Sequence, residues 1–349
     1  MLNRLTTRRV YPLSTRVISR FQSSNVSTNP LRNKLDNYLT YYNTPMELRP
    51  YIYRPKNHNK LLTMSVPVKD DHGNIIDHDT PTPRDPIKPI SSDLITQYID
   101  SIQDKKELME WLKQWMAVTT RKKSIWKLWK PIHLQKILLK SFFEIGGYSN
   151  FLGYIFTQNN KFIEAKNSQV FNIENFLNSV LLCSLLRDHI NRSFDSKASL
   201  QKLKNAWTVT QFKTNRTGLV NILIQSLEQR QRFTALDELK AYKPKNLVLP
   251  IFPSLESKSF QLNKDKFLKD NELVYFICRT ILEQIDKQTI IIDPKVLESM
   301  QEFVTKFKEL SPQEEDKFDK LILSMKELYK NDIILQRTDS EVESKTESS

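Results

Sequence analysis

The chain has 349 residues, with 53 Lys and Arg against 40 Asp and Glu, which gives a formal net charge of +13. Only five residues are glycine, about 1.4% against about 7% in an average protein. Neither Gly-x-Gly nor Gly-x-x-x-x-Gly-Lys nor Gly-x-Ser-x-Gly occurs, which excludes the Rossmann, P-loop and nucleophile-elbow sites that a sequence can reveal. Two cysteines, Cys183 and Cys278, are too few for a disulfide framework or a cysteine zinc site. We therefore expect a non-enzymatic protein with no catalytic residue, metal, cofactor or small-molecule substrate.

The N-terminal segment 1–22 has the composition of a mitochondrial presequence. Its arginines alternate with apolar and hydroxyl residues, and the first acidic residue of the chain is Asp36. An arginine-rich, acid-free amphipathic leader is typical of import signals, so we predict cleavage after Phe21 or Gln22 and a location in the mitochondrial matrix. The alternative is a basic N-terminus that binds RNA or an anionic membrane. No transmembrane segment is expected, because no apolar run approaches the ~18 residues that a span requires.

Residues 23–91 predict an extended arm rich in proline, tyrosine and basic residues. The prolines interrupt any long helix, and the turn-forming residues 70–74 lie between two short β-type runs, which indicates a hairpin. Cations interleaved with flat rings can thread between RNA helices; the alternative is a polar strap over the protein's own helices. The residues concerned are Arg32, Lys34, Arg49, Arg54, Lys56 and Lys60, with Tyr38, Tyr41, Tyr42, Tyr51 and Tyr53.

Beyond residue 91 the apolar residues follow helical spacing, in stripes that begin at 94, 108, 134, 173, 219, 273, 300 and 318. The intervals have no fixed period, so a regular repeat is excluded. The prediction is an all-α fold, an irregular helical array that leaves a degenerate α-solenoid open. Asp293 before Pro294, and Ser311 before Pro312 with Glu314, are expected to cap the last two helices.

Prolines and composition divide this part of the chain. We predict an N-terminal helical region over 92–242, a linker or long loop over 243–262 and a C-terminal helical region over 263–336. The spacing does not decide whether these regions form one array or two domains. Residues 337–349 are polar and acidic, which predicts a disordered tail.

The strongest local signal is an acid-free stretch between Glu110 and Glu144, which contains four of the five tryptophans. Rows of cations at helical spacing can neutralise successive phosphates, and tryptophan rings can stack on unpaired bases. The alternatives are core tryptophans and a merely solvated lysine face. The predicted RNA-binding residues are Arg121, Lys122, Lys123, Trp126, Lys127, Trp129, Lys130, Lys136 and Lys140. A weaker basic patch contains Lys197, Lys202, Lys204, Lys213 and Arg216.

Three features together resemble a known family: the leader that ends in Ser19–Ser24, the tyrosine-rich segment Tyr38–Pro45, and the basic, glycine-poor helical body. They are similar to accessory proteins of the fungal mitochondrial small ribosomal subunit. The resemblance implies a structural ribonucleoprotein component that binds ribosomal RNA and neighbouring mitochondrial ribosomal proteins and supports mitochondrial translation. The alternative is an RNA-binding translational activator or assembly factor that is not permanently on the ribosome.

Overall fold

The computed structural model describes residues 29–69, 74–187, 196–231, 246–252, 258–286, 290–311 and 316–330. Apart from one short hairpin, the regular structure in these ranges is helical, and the predicted all-α class is confirmed. None of the helices in this part of the chain is long and apolar enough to cross a membrane. The chain divides into two compact units, residues 1–90 and 91–349. The predicted presequence and acidic tail lie outside the described residues.

The described part of the N-terminal unit begins with a helix where the sequence analysis expected an extended arm. Helix α1 covers Pro30–Asn43. The Asn29 side chain accepts a hydrogen bond from the Leu31 backbone N–H at 2.9 Å, and Pro30 occupies the first turn. Proline is favourable there because a first-turn N–H has no intrahelical partner and the fixed φ suits a helix. Interpreting Pro30 as a helix breaker was therefore wrong, since its position relative to the cap decides its effect.

The rest of this unit consists of short elements. After α1 come α2 (Arg49–Ile52), a 3-10 helix (Pro55–Thr63), and strands β1 (Val66–Lys69) and β2 (Ile75–Asp79). The two strands pair antiparallel with Val66 opposite Asp79. Ile52, Tyr53 and Leu61 form a small buried cluster.

The remaining helices of the described ranges lie in the C-terminal unit. They are α3 (Ser92–Ser101), α4 (Lys105–Met116), α5 (Lys123–Trp126), α6 (Pro131–Phe143), α7 (Tyr148–Glu164), α8 (Asn178–Arg187), α9 (Ser196–Val209), α10 (Leu219–Gln231), α11 (Lys258–Asp270), α12 (Glu272–Asp286), α13 (Pro294–Leu310) and α14 (317–330). A 3-10 turn (Ser168–Val170) and a π-helix (Ile173–Leu177) lie between α7 and α8. The apolar stripes are the buried faces: Leu108, Trp111 and Leu112 on α4 are fully enclosed. Cys183 and Cys278 are buried free thiols, and burial raises the pKa of both.

Caps set several of the helix starts. Asp293 caps α13 as predicted, with Oδ1 accepting from the Lys295 N–H at 2.8 Å. Ser311 instead closes the end of α13. Asp316 caps α14, because its Oδ1 accepts from the Phe318 N–H at 3.0 Å. The rest of the predicted capping box, Pro312 and Glu314, lies outside the described residues.

One carboxylate holds the start of α10. Glu174 on the π-helix accepts hydrogen bonds from the Arg216 N–H, from the Thr217 N–H at 3.0 Å and from Thr217 Oγ1 at 2.7 Å. Hydrogen bonds to a charged acceptor contribute roughly 1.5–3 kcal/mol each when they are lost with their partners left unpaired. The π-helix and the loop before α10 are therefore fixed to each other.

Replacing Glu174 with alanine is expected to lower the free energy of unfolding by about 2 kcal/mol. Three donors lose their acceptor, but Arg216 is exposed and Thr217 is half-buried, so water replaces much of each lost hydrogen bond. Chemical denaturation of the full chain would measure the loss. The exposed Glu298 on α13 supplies the matched control, and Glu298→Ala should change stability by less than about 0.5 kcal/mol. Equal losses in the two variants would contradict a structural role for Glu174.

Candidate nucleic-acid interface

The segment between α4 and α6, residues 117–130, presents cations to solvent on a short, tightly turned backbone. Arg121, Lys123, Lys127 and Lys130 are exposed, and Lys122 is half-buried. Backbone hydrogen bonds close successive turns, including Lys127 N–H to Lys123 O at 2.9 Å and Trp129 N–H to Trp126 O at 3.1 Å. The predicted cations at 121–130 are thus brought together on one compact segment, which we call the cationic segment.

The two tryptophans of the cationic segment point inward. Trp126 is fully buried and Trp129 is 1% exposed. The Trp126 ring packs edge-on against Phe162, with ring centroids 4.9 Å apart, and its Nε1–H donates to Thr119 O at 3.2 Å. The prediction that these rings stack on bases is corrected: a ring enclosed by its own core presents no face to RNA. They instead anchor the segment that carries the cations.

Asn167, beyond the end of α7, fixes the same segment from behind. Its side-chain amide donates to Trp126 O at 2.7 Å and to Trp129 O at 2.9 Å. Its neighbour Lys166 is exposed and adopts a left-handed backbone conformation with φ of 59°. Sequence reasoning missed both residues, because only the folded chain brings 166–167 against 126–129. Lys166 adds a cation beside the cationic segment.

Two further predicted RNA-binding residues are paired within the fold, where Lys136 is half-buried and Lys140 is buried, which corrects their assignment as exposed cations. Lys136 Nζ lies 2.7 Å from an Asp100 carboxylate oxygen. Lys140 is 6% exposed, donates to the Asp100 backbone carbonyl at 2.8 Å and lies 3.4 Å from Glu144. Both lysines lie on α6 and contact Asp100 at the end of α3, so they join the two helices. The acids that they contact, Asp100 and Glu144, lie outside the acid-free stretch. Lys130 lies 3.7 Å from Asp93 but remains exposed.

A buried histidine fixes the boundary between the cationic segment and α6. His133 Nδ1 accepts from the Lys130 N–H at 3.0 Å, so Nε2 carries the proton and donates to Ser92 O at 3.0 Å. Desolvation by burial, assisted by the neighbouring charge of Lys130, lowers the pKa of His133 to about 4. The ring is therefore neutral at physiological pH and serves as a structural link between α6 and α3.

The neutral state of His133 predicts a loss of stability in acid. Its pKa is about 4 in the folded chain and 6.5 as the ordinary value, so between these values the unfolded state binds more protons. Its full contribution is present above pH 6.5 and falls by about 3 kcal/mol as pH decreases through that window. Chemical denaturation at several pH values would show this as a difference between wild type and His133→Gln. Parallel stability profiles for the two proteins would contradict it.

The tyrosines of the predicted arm pack within the N-terminal unit. The rings of Tyr41 and Tyr53 lie 4.9 Å apart, as do those of Tyr38 and Tyr42. The Arg49 guanidinium lies over the Tyr41 ring at 4.8 Å and donates to the backbone carbonyls of Thr44 and Tyr42, each at 3.0 Å. Arg49 therefore closes the end of α1, while Lys34, Arg54, Lys56 and Lys60 are the exposed cations of the predicted set.

Comparison with protein families gives two matches that together cover most of the chain. Residues 4–101 match the model of the MRP13-like N-terminal domain, and residues 105–337 match that of the MRP13-like C-terminal domain. These models describe a protein family of the mitochondrial small ribosomal subunit. The resemblance stated from the sequence is confirmed by these matches.

Proposed function

Because the chain belongs to the MRP13 family and is a component of the mitochondrial small ribosomal subunit, we propose that it binds ribosomal RNA through the cationic segment. Its mitochondrial location and its ribosomal partners follow from the family. The proposed role is architectural: the helical body positions cations against the RNA and contacts neighbouring ribosomal proteins in the matrix. Residues 1–22 are proposed to direct import.

The observation that carries the proposal is a set of three exposed cations that have no acidic partner among the described residues. Arg121, Lys123 and Lys127 form no ion pair with any residue in the described ranges. Positive charges concentrated on one short segment repel one another in the free protein. RNA phosphates relieve this repulsion and release their condensed counterions on binding. Binding to RNA would then explain why residues 111–143 contain no acid.

The geometry favours contact with phosphates over contact with bases at this segment. Trp126 and Trp129, its two tryptophans, are enclosed in the core. Lysine and arginine side chains on a rigid backbone can follow a phosphate backbone without reading the sequence. The cationic segment is therefore proposed to recognise the charge and shape of folded RNA.

Crosslinking within isolated mitochondrial small subunits would test this proposal. Ultraviolet irradiation followed by nuclease and protease digestion should yield nucleotide-bearing peptides from residues 113–136. Peptides from α13, which carries a mixture of acids and bases, should carry none. If nucleotides were absent from 113–136 and protein crosslinks replaced them, the segment would be a protein contact. Sedimentation in magnesium with mild salt should leave the chain on the subunit, and a salt-labile association would favour a translation or assembly factor.

A further inference from the structure

A second acid-free stretch, which the family and the proposed function do not explain, lies between Asp195 and Glu228. It is 32 residues long, almost the length of the first, and contains five cations. Part of it forms the loop between α9 and α10, residues 210–218, which we call the Phe212 loop. The weak patch noted from the sequence contributes Lys213 and Arg216 to it.

Phe212 is exposed on this loop. Its side chain is 49% accessible, and of the aromatic residues whose exposure the structure describes it is the only exposed one. Single exposed apolar residues are common on protein surfaces and need no partner. Phe212 differs because its backbone is held by hydrogen bonds and because two cations follow it in the same loop.

The backbone at Phe212 is fixed on both sides. The Phe212 N–H donates to Phe171 O at 3.1 Å, and the Ile173 N–H donates to Phe212 O at 3.3 Å. The Gln211 N–H also donates to Phe171 O, at 3.1 Å. The ring is thus presented on a preorganised support, which reduces the entropic cost of binding a partner.

Two cations, Lys213 and Arg216, follow the ring within the loop. Lys213 Nζ lies 4.1 Å from the centre of the Trp207 ring, and Arg216 is exposed. An acid, Glu174, also contacts this loop, but the three hydrogen bonds that it accepts come from the backbone N–H groups of Arg216 and Thr217 and from the Thr217 hydroxyl. Exposed aromatic rings beside cations are the arrangement that binds single-stranded nucleic acid: the ring stacks on a base and the cations contact phosphates.

The Phe212 loop and the cationic segment contact the two ends of one short stretch of chain. Asn167 contacts the backbone at 126 and 129, and Phe171 contacts the backbone at 211 and 212. The four steps of chain from Asn167 to Phe171 span at most about 14 Å. The 3-10 turn at Ser168–Val170 shortens this span to roughly 8–10 Å. One short connector therefore joins the two surfaces, with Lys166 at its start.

We propose that Phe212 stacks on an unpaired nucleotide of the RNA whose phosphates contact the cationic segment. The inference rests on the proposed function, and it specifies the ligand: a folded RNA with an unstacked base next to the phosphates that the cationic segment contacts. The cationic segment supplies charge, and the Phe212 loop supplies the preference for single-stranded nucleotides.

The test uses the purified full chain with two RNA probes of 12 nucleotides. One is a single strand with a 2-aminopurine among uridines, and the other is the corresponding duplex. Phe212→Ala is expected to weaken single-strand binding about tenfold, within the range for loss of one stacked base. It should also abolish the fluorescence quenching of 2-aminopurine, while duplex binding and the salt slope stay unchanged. Phe212→Trp retains a ring and should restore both affinity and quenching.

Controls separate the two proposals. Leu323→Ala removes an exposed apolar side chain from α14 and should bind both probes as wild type does. If Phe212→Ala binds the single strand as wild type while the Arg121, Lys123 and Lys127 variant is weakened, the stacking proposal is overturned and the proposed function stands. If the Arg121, Lys123 and Lys127 variant binds as wild type while Phe212→Ala is weakened, only the proposed role of the cationic segment is overturned. A Phe212→Ala protein that binds RNA normally but fails to enter the small subunit would identify a protein contact and also overturn the stacking proposal.

Discussion

Replacing Arg121, Lys123 and Lys127 together with alanine is expected to weaken RNA binding about 100-fold near 0.1 M salt. Each lost phosphate contact removes about 0.7–0.9 from the slope of log K against log salt concentration. The slope should therefore become shallower by about 2, and the loss of affinity should shrink as salt increases. Titration of the full chain with an RNA duplex at several salt concentrations would measure both quantities.

The matched control removes the same charge elsewhere. Lys266, Lys295 and Lys326 are exposed and lie on α11, α13 and α14. Their triple alanine variant has the same net charge as the first, so any effect of total charge appears in both. Equal losses of affinity would show that binding depends on the overall field of the protein. A loss confined to the first variant supports a local site.

Trp126→Ala is expected to lower the free energy of unfolding by about 4 kcal/mol. The side chain is fully buried against Phe162, and truncation of a large core aromatic leaves a cavity that costs roughly 3–5 kcal/mol. The substitution also removes the hydrogen bond to Thr119 O, which fixes the start of the cationic segment. Thermal and chemical denaturation of the full chain would measure the effect.

Trp126→Phe distinguishes an anchor from a stacking platform. It preserves a ring in the core, so the loss of stability should be smaller than for alanine, and RNA affinity should stay within about twofold of wild type. A phenylalanine variant that folds as stably as wild type but loses RNA affinity would show that the indole itself contacts RNA.

The helices of the C-terminal unit could be predicted well because their apolar residues recur at a spacing that only a helix buries on one face. The stripe at Leu108, Trp111 and Leu112 is an example, since all three side chains are fully enclosed. Helix α1 was missed for a local reason: Pro30 stands at the helix start, where it is favourable, and the cap comes from Asn29. Composition shows how many prolines a segment has, but the effect of each depends on its position in a helix.

The candidate site was predictable in its charge and not in the orientation of its side chains. The absence of acids around Lys123 and Lys127 can be read directly from the sequence. The burial of Lys140 cannot, because it depends on Asp100, which lies 40 residues away and meets it only in the fold. The same holds for Asn167, whose contacts join segments about 40 residues apart. The second acid-free stretch can also be read from the sequence. The exposure of Phe212 cannot, because it depends on hydrogen bonds between its loop and Phe171 and Ile173.

Lys166 is an exposed lysine at a position whose backbone conformation favours glycine. A left-handed backbone with φ of 59° costs a residue with a side chain about 1 kcal/mol, whereas glycine adopts it freely. The chain has a lysine there, although glycine would make the turn more stable. The proposed RNA contact supplies a reason for the less stable choice. Selection for a more stable monomer would favour glycine at this turn, whereas selection for binding to ribosomal RNA would favour the positive charge.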